Sequence, residues 1–114
     1  MKINNVELDI DFTDADLIES IEKNREKLIE ACDNIDLNNL TPAEGIRQMC
    51  KVIKDFFDCV FGEGTSKKLF GEKNSYKLCS EAFTELIKAR DQQFKEVEDT
   101  LNNYSPDRLK RWTY

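Results

Sequence analysis

A chain of 114 residues, 39% hydrophobic and 35% charged, holds one domain with a modest core and a heavily solvated surface. With only four glycines and two prolines it lacks the tight turns of a sandwich or barrel, so long helices are expected. A net charge of −6 at pH 7 speaks against a nucleic-acid partner, because phosphate contacts need a concentrated basic face.

The first twelve residues read as a β element. Val6, Leu8, Ile10 and Phe12 alternate with Glu7, Asp9 and Asp11, the period of a strand with one apolar and one acidic face. Asn4-Asn5 suits the turn of a small hairpin between 1–3 and 6–12, since asparagine tolerates positive φ. Residues 13–104 then read as a helical core. Thr13, with Asp16 in the first turn, is the expected cap of a first helix whose apolar positions run Leu17, Ile18, Ile21, Leu28, Ile29, Cys32 and Ile35. Thr41-Pro42-Ala43-Glu44 is the strongest local signal: a capping Thr, Pro at the first helical position and Glu placed to complete a capping box. The second helix therefore starts at Pro42. Its apolar residues, Ile46 through Phe61, spread over about 200° of its circumference, which makes it the central helix.

Gly62 is suited to the left-handed position after that helix. The segment Phe61, Gly62, Gly64, Thr65, Leu69, Phe70, Gly71 then reads as a structural corner: a tight loop, one helical turn capped by Thr65, and a stop at Gly71. Phe61 and Phe70 are expected to point into the core. A third long helix is expected from Asn74 or Ser75 to about Asn102, with Tyr76, Cys79, Phe83, Leu86, Ile87, Phe94, Val97 and Leu101 on one side. Ser105-Pro106 opens a short C-terminal helix or tail over 105–114. The expected fold is thus mainly α, a three-helix core with a short extra helix and a small N-terminal strand or hairpin, in a single domain.

Past Arg90 the stripe of the third helix narrows. Phe83, Ile87, Phe94, Val97, Leu101 and Tyr104 follow alternating steps of four and three once Arg90 fills a seam position, the heptad spacing of helix-on-helix packing. Ordinary core contact explains the same spacing, but Phe94, Val97, Leu101 and Tyr104 run past the reach of the first two helices. Together with the strand residues Val6, Leu8 and Ile10 they form the candidate interaction surface, for a homo-oligomer or a helical partner.

Residue types equipped for catalysis or metal binding are sparse in this chain. There is no histidine, which removes the commonest general base, the commonest metal ligand and every Ser-His or Cys-His nucleophile. The Gly62-Glu63-Gly64-Thr65-Ser66-Lys67 run lacks the spacing of a phosphate loop and follows a helix instead of a strand. Cys32, Cys50, Cys59 and Cys79 show no paired spacing for zinc and read as small buried hydrophobes. No catalytic, cofactor-binding or metal residue is expected, and no enzymatic activity. No run approaches a membrane span, and the N-terminus lacks the apolar region of a signal peptide, so a cytoplasmic protein is expected. Charge is uneven: residues 1–65 hold 7 Lys+Arg against 15 Asp+Glu, or −8, and residues 66–114 hold 10 against 8, or +2.

The opening MKINNVELDIDFTDAD and the block DFFDCVFGEGTSKKLFGEKNSYKLCSEAF, with two Phe-Gly pairs around a Gly-Thr turn, resemble small proteins from the tail-morphogenesis region of long-tailed phages and prophages of Gram-positive bacteria. These are described as tail assembly chaperones. The resemblance covers most of residues 1–90. Asn5 stands where such proteins often carry Gly, and no pattern matches after about Ala89. It implies a non-enzymatic role in the bacterial host cell: binding the tape-measure protein and delivering tail-tube subunits, with no catalytic residues. A structural tail-completion or connector component of the virion, and a regulatory or antitoxin-like helical binder, are the alternatives.

Overall fold

The computed structural model describes residues 1–104. A two-strand antiparallel hairpin, β1 (Lys2–Ile3) and β2 (Val6–Glu7), precedes four helices: α1 (Ala15–Asp33), α2 (Pro42–Phe61), α3 (Thr65–Phe70) and α4 (Tyr76–Tyr104). The protein is therefore mainly helical with a small N-terminal sheet. The expected short helix over 105–114 lies outside the described residues.

The hairpin pairs Lys2 with Glu7 and Ile3 with Val6. Asn4 and Asn5 form its turn with φ of 50° and 65°, a left-handed pair of the kind that matches strand twist. The strand expected over 6–12 is shorter than its alternation implies. Only 1–3 stands opposite it, and the last backbone bond of the pair runs from the Leu8 amide to the Met1 carbonyl, 2.8 Å. Beyond Leu8 the inward-outward alternation persists without a partner strand, because Ile10 and Phe12 pack on the helices.

Helix α1 begins one residue later than Thr13 would place it. Asp14 is the cap, its carboxylate accepting the Asp16 amide at 3.0 Å. Thr13 is taken up by a tighter local bond, its amide donating to Asp11 Oδ1 at 2.9 Å, the side-chain turn that Asp favours outside helices. Helix α2 runs from Pro42 to Phe61 as its capping signals dictate. Thr41 Oγ1 accepts the Glu44 amide at 3.2 Å and donates to Glu44 Oε1 at 3.0 Å.

Packing centres on α2, which touches α1, α3 and α4. Cys50, Ile53, Phe56 and Phe57 form its buried face. Around Phe57, which is fully buried, the rings of Phe56, Phe61 and Phe70 lie at 5.5, 6.1 and 5.7 Å, and Phe83 of α4 meets Phe56 at 5.1 Å. Most of these contacts are edge-to-face, which suits the ring quadrupoles. Ile21 from α1, Ile3 from β1, Leu69 from α3, and Cys79 and Leu86 from α4 complete the core. Cysteine burial departs from expectation at two positions: Cys59 is exposed, and Cys32 only half-buried.

The molecule is elongated, 57 × 30 × 21 Å, with a radius of gyration of 17.2 Å, against about 13 Å for a compact chain of this length. The 29 residues of α4 rise about 44 Å, whereas the 19 and 20 residues of α1 and α2 rise about 30 Å. One long helix outruns the body that packs on it.

Candidate functional site

Two regions drew attention in the sequence, and they differ in kind. The first, the corner between α2 and α4, is bonded to itself. The chain leaves α2 at Gly62 with φ 110° and ψ 154°, a region that side chains other than hydrogen scarcely reach. It turns through Gly64 in the left-handed region, φ 92° and ψ −8°, where α3 starts. Thr65 is the first residue of α3 and not its cap. Its hydroxyl donates back to the Gly62 carbonyl at 2.8 Å.

Capping of α3 comes from α2. The Ser66 amide donates to Asp58 Oδ1 at 2.8 Å, and the Ser66 hydroxyl to Oδ2 at 2.9 Å. No sequence signal marks this role for Asp58, because the helix it caps lies eight residues on, beyond a turn. The hairpin is tied in as well: the Asn4 side-chain amide donates to the Leu69 carbonyl. Leu69 and Phe70 are buried, and Phe61 is half-buried against the core, so both phenylalanines of the motif do face inward. Hydroxyls that a phosphate loop would offer to a ligand are spent here on Gly62 and Asp58. An anion at this helix start would also meet the Asp58 carboxylate.

The second region is the distal half of α4. Phe94 is 55% exposed, Val97 37% and Leu101 48%, three apolar side chains in sequence along the half of the helix that the body covers least. Arg90, at the seam position before them, is largely covered and bridges to Asp91 at 3.0 Å. On one flank an open hollow of about 470 Å³ lies between Asp11 and Thr13 of the N-terminal segment and Glu96, Val97 and Leu101. On the other, about 280 Å³ lies between Ile18 and Glu22 of α1 and the Arg90, Phe94 and Glu98 side of α4. Asp11 is held below the usual carboxylate range by its bonds from Thr13, so the first hollow carries a fixed negative charge at its rim.

The strand residues join this surface only in part. Val6, Leu8 and Ile10 are half-buried and pack against the protein's own core, so their side chains are not an open stripe. The side chain of Tyr104 lies outside the described residues.

Cys50 and Cys79 are fully buried where α2 meets α4, and burial, reinforced by Cys50, pushes the Cys79 thiol up to about 12. Among the described residues no group of three His, Cys, Asp or Glu side chains is placed to hold a metal ion, and no helix is long and apolar enough to cross a membrane.

A helix hub with a tethered corner and a small N-terminal hairpin defines a small, mainly α protein. The chain belongs to a family of unknown function, DUF6673, which it matches over residues 4–114. No curated protein and no solved structure matches it.

Proposed function

We propose that this protein is a non-enzymatic binding module that docks other proteins along the distal half of α4, and that it serves phage tail assembly as a chaperone for tape-measure and tail-tube proteins. The observation that carries the docking role is the half-exposed run Phe94, Val97 and Leu101 on a helix longer than its supports. Magnitude favours a transient role. Covering the remaining exposed half of three such side chains yields on the order of 1 kcal/mol each, less than the cost of association. Useful binding then needs additional contacts or repetition along a long partner, as in the coating of a filament by many copies. The phage assignment rests on the resemblance of the opening hairpin and of the two Phe-Gly pairs of the corner.

Co-expression with the tape-measure and tail-tube proteins of a long-tailed phage of Gram-positive bacteria tests both parts. The parent chain is expected to co-purify with one of them, and Phe94→Glu with Leu101→Glu to lose it while keeping parental helical content by circular dichroism. Absence of co-purification from the parent overturns the chaperone role. Detection of the chain in purified particles would assign it to the virion as a connector component instead.

A further inference from the structure

The charges around the distal stripe are as specific as its apolar residues. From Arg90 to Leu101 there are four carboxylates, Asp91, Glu96, Glu98 and Asp99, against two cations; Arg90 and Asp91 bridge and balance each other, which leaves three carboxylates against Lys95, on the α1 side of the helix. Among the described residues, the neighbouring elements that line the two hollows add acid and no base: Asp11 on one flank, Glu22 on the other. Among the described residues, none that lines the hollow beside Val97 and Leu101 is basic. With Phe94 and Leu101 at seam position a and Val97 at d, Asp91 and Glu98 fall at e, the position that faces the flank of an apposed helix.

This arrangement disfavours a second copy. An antiparallel two-fold pairing along the stripe sets the e positions of the copies against each other, so each Glu98 meets an Asp91 that Arg90 already balances, and no free positive charge. A parallel pairing sets them against Gln93 and Thr100, which offer no positive charge. A seam that offers its carboxylates no free cation gives the homotypic pair no charge complementarity, and opposite charges select for the heterotypic one.

We infer that the occupant of the α4 stripe is a basic amphipathic helix of another protein, seated with its apolar face on Phe94, Val97 and Leu101 and its Lys or Arg flanks on Glu96, Glu98 and Asp11. The inference rests on the docking role proposed above and adds the chemistry of the partner. It predicts that the acidic rim sets partner choice and the apolar stripe sets whether anything binds at all.

Two synthetic amphipathic peptides with the same leucine face, one flanked by lysine and one by glutamate, separate these claims by fluorescence anisotropy with the full chain. The lysine peptide is expected to bind at least about tenfold more tightly at low salt, with the advantage shrinking as salt screens the rim. Glu96→Lys with Glu98→Lys is expected to reverse the preference, and Phe94→Ser with Leu101→Ser to abolish binding of both peptides. Equal binding of the two peptides, lost in the serine variant, overturns the inference and leaves the docking role standing. Binding of neither, or binding indifferent to the serine substitutions, removes the stripe as a docking surface. Concentration-dependent self-association abolished by the same serine substitutions would make the occupant a second copy. A gain in peptide affinity on Arg108→Ser with Arg111→Ser would make it the chain's own basic C-terminal residues. Either result overturns an outside partner.

Discussion

At the scale of single residues, two glycines should respond to substitution in opposite ways. A Cβ at Gly62 would meet nothing within 4 Å, yet the residue sits at φ 110°, so the cost of Gly62→Val is backbone strain, roughly 1 to 3 kcal/mol. Gly45 is helical and buried, and a Cβ there comes within 3.1 Å of Leu37 Cδ2. That atom is the far end of a side chain 62% exposed and can swing aside, while a helix interior prefers Ala to Gly by about 1 kcal/mol. Gly45→Ala should therefore be neutral or slightly stabilising, and chemical denaturation of the two variants checks both signs. Asp58→Ala should cost on the order of 1 to 2 kcal/mol by leaving the start of α3 uncapped, with Asp58→Asn recovering part of it. Cys79 gives a pH signature. Its folded thiol keeps its proton to about 12 against an ordinary 9.0, so the unfolded chain ionises first as pH rises. The stability owed to this group is whole below about pH 9 and declines toward 12. The stability difference between the parent and Cys79→Ala should shift against the parent over that range, as measured by urea titration.

At the scale of elements, what the sequence reveals depends on how local the cause is. Helix α2 is legible at both ends because Thr41, Pro42 and Glu44 bond or pre-shape their immediate neighbours and Gly62 stops the helix by its own backbone. The start of α1 is misread by one residue because Thr13 and Asp14 are both competent caps, and the choice between them is made by Asp11 drawing Thr13 into a side-chain turn. Asp58 is illegible as a cap, since the turn through Gly62 and Gly64 that brings it to Ser66 is itself tertiary information. The strand is over-read for a related reason: alternation records which side faces the core, not whether a partner strand exists. In the candidate site, Phe94, Val97 and Leu101 are legible from spacing alone, while Val6, Leu8 and Ile10 are not separable from core residues by pattern. The hub role of α2 makes Phe57→Ala the most damaging single truncation, at about 3 to 5 kcal/mol, since a buried ring leaves lost transfer energy and a cavity lined by three other rings. A loss under about 1 kcal/mol would mean that the ring cluster does not hold the helices together.

At the scale of the whole molecule, the tie between Asn4 and Leu69 joins the first residues of the chain to the corner at its middle. The hairpin, α3 and the end of α2 should therefore melt as one unit, and disruption of the hairpin turn by Asn4→Ala should raise hydrogen exchange in residues 65–70 as well as in 2–7. Helix α4 has the reverse character: it is continuous in backbone but divided in support. Up to about Ala89 its inner face is sealed by the core, and beyond Arg90 it meets the N-terminal segment and the first turns of α1 only across open hollows. A single helix with two such grades of protection works as a gauge. A ligand that grips the distal half should slow exchange there by its full binding free energy while leaving the proximal half unchanged, so occupancy becomes readable, residue by residue, from a boundary the fold has already drawn.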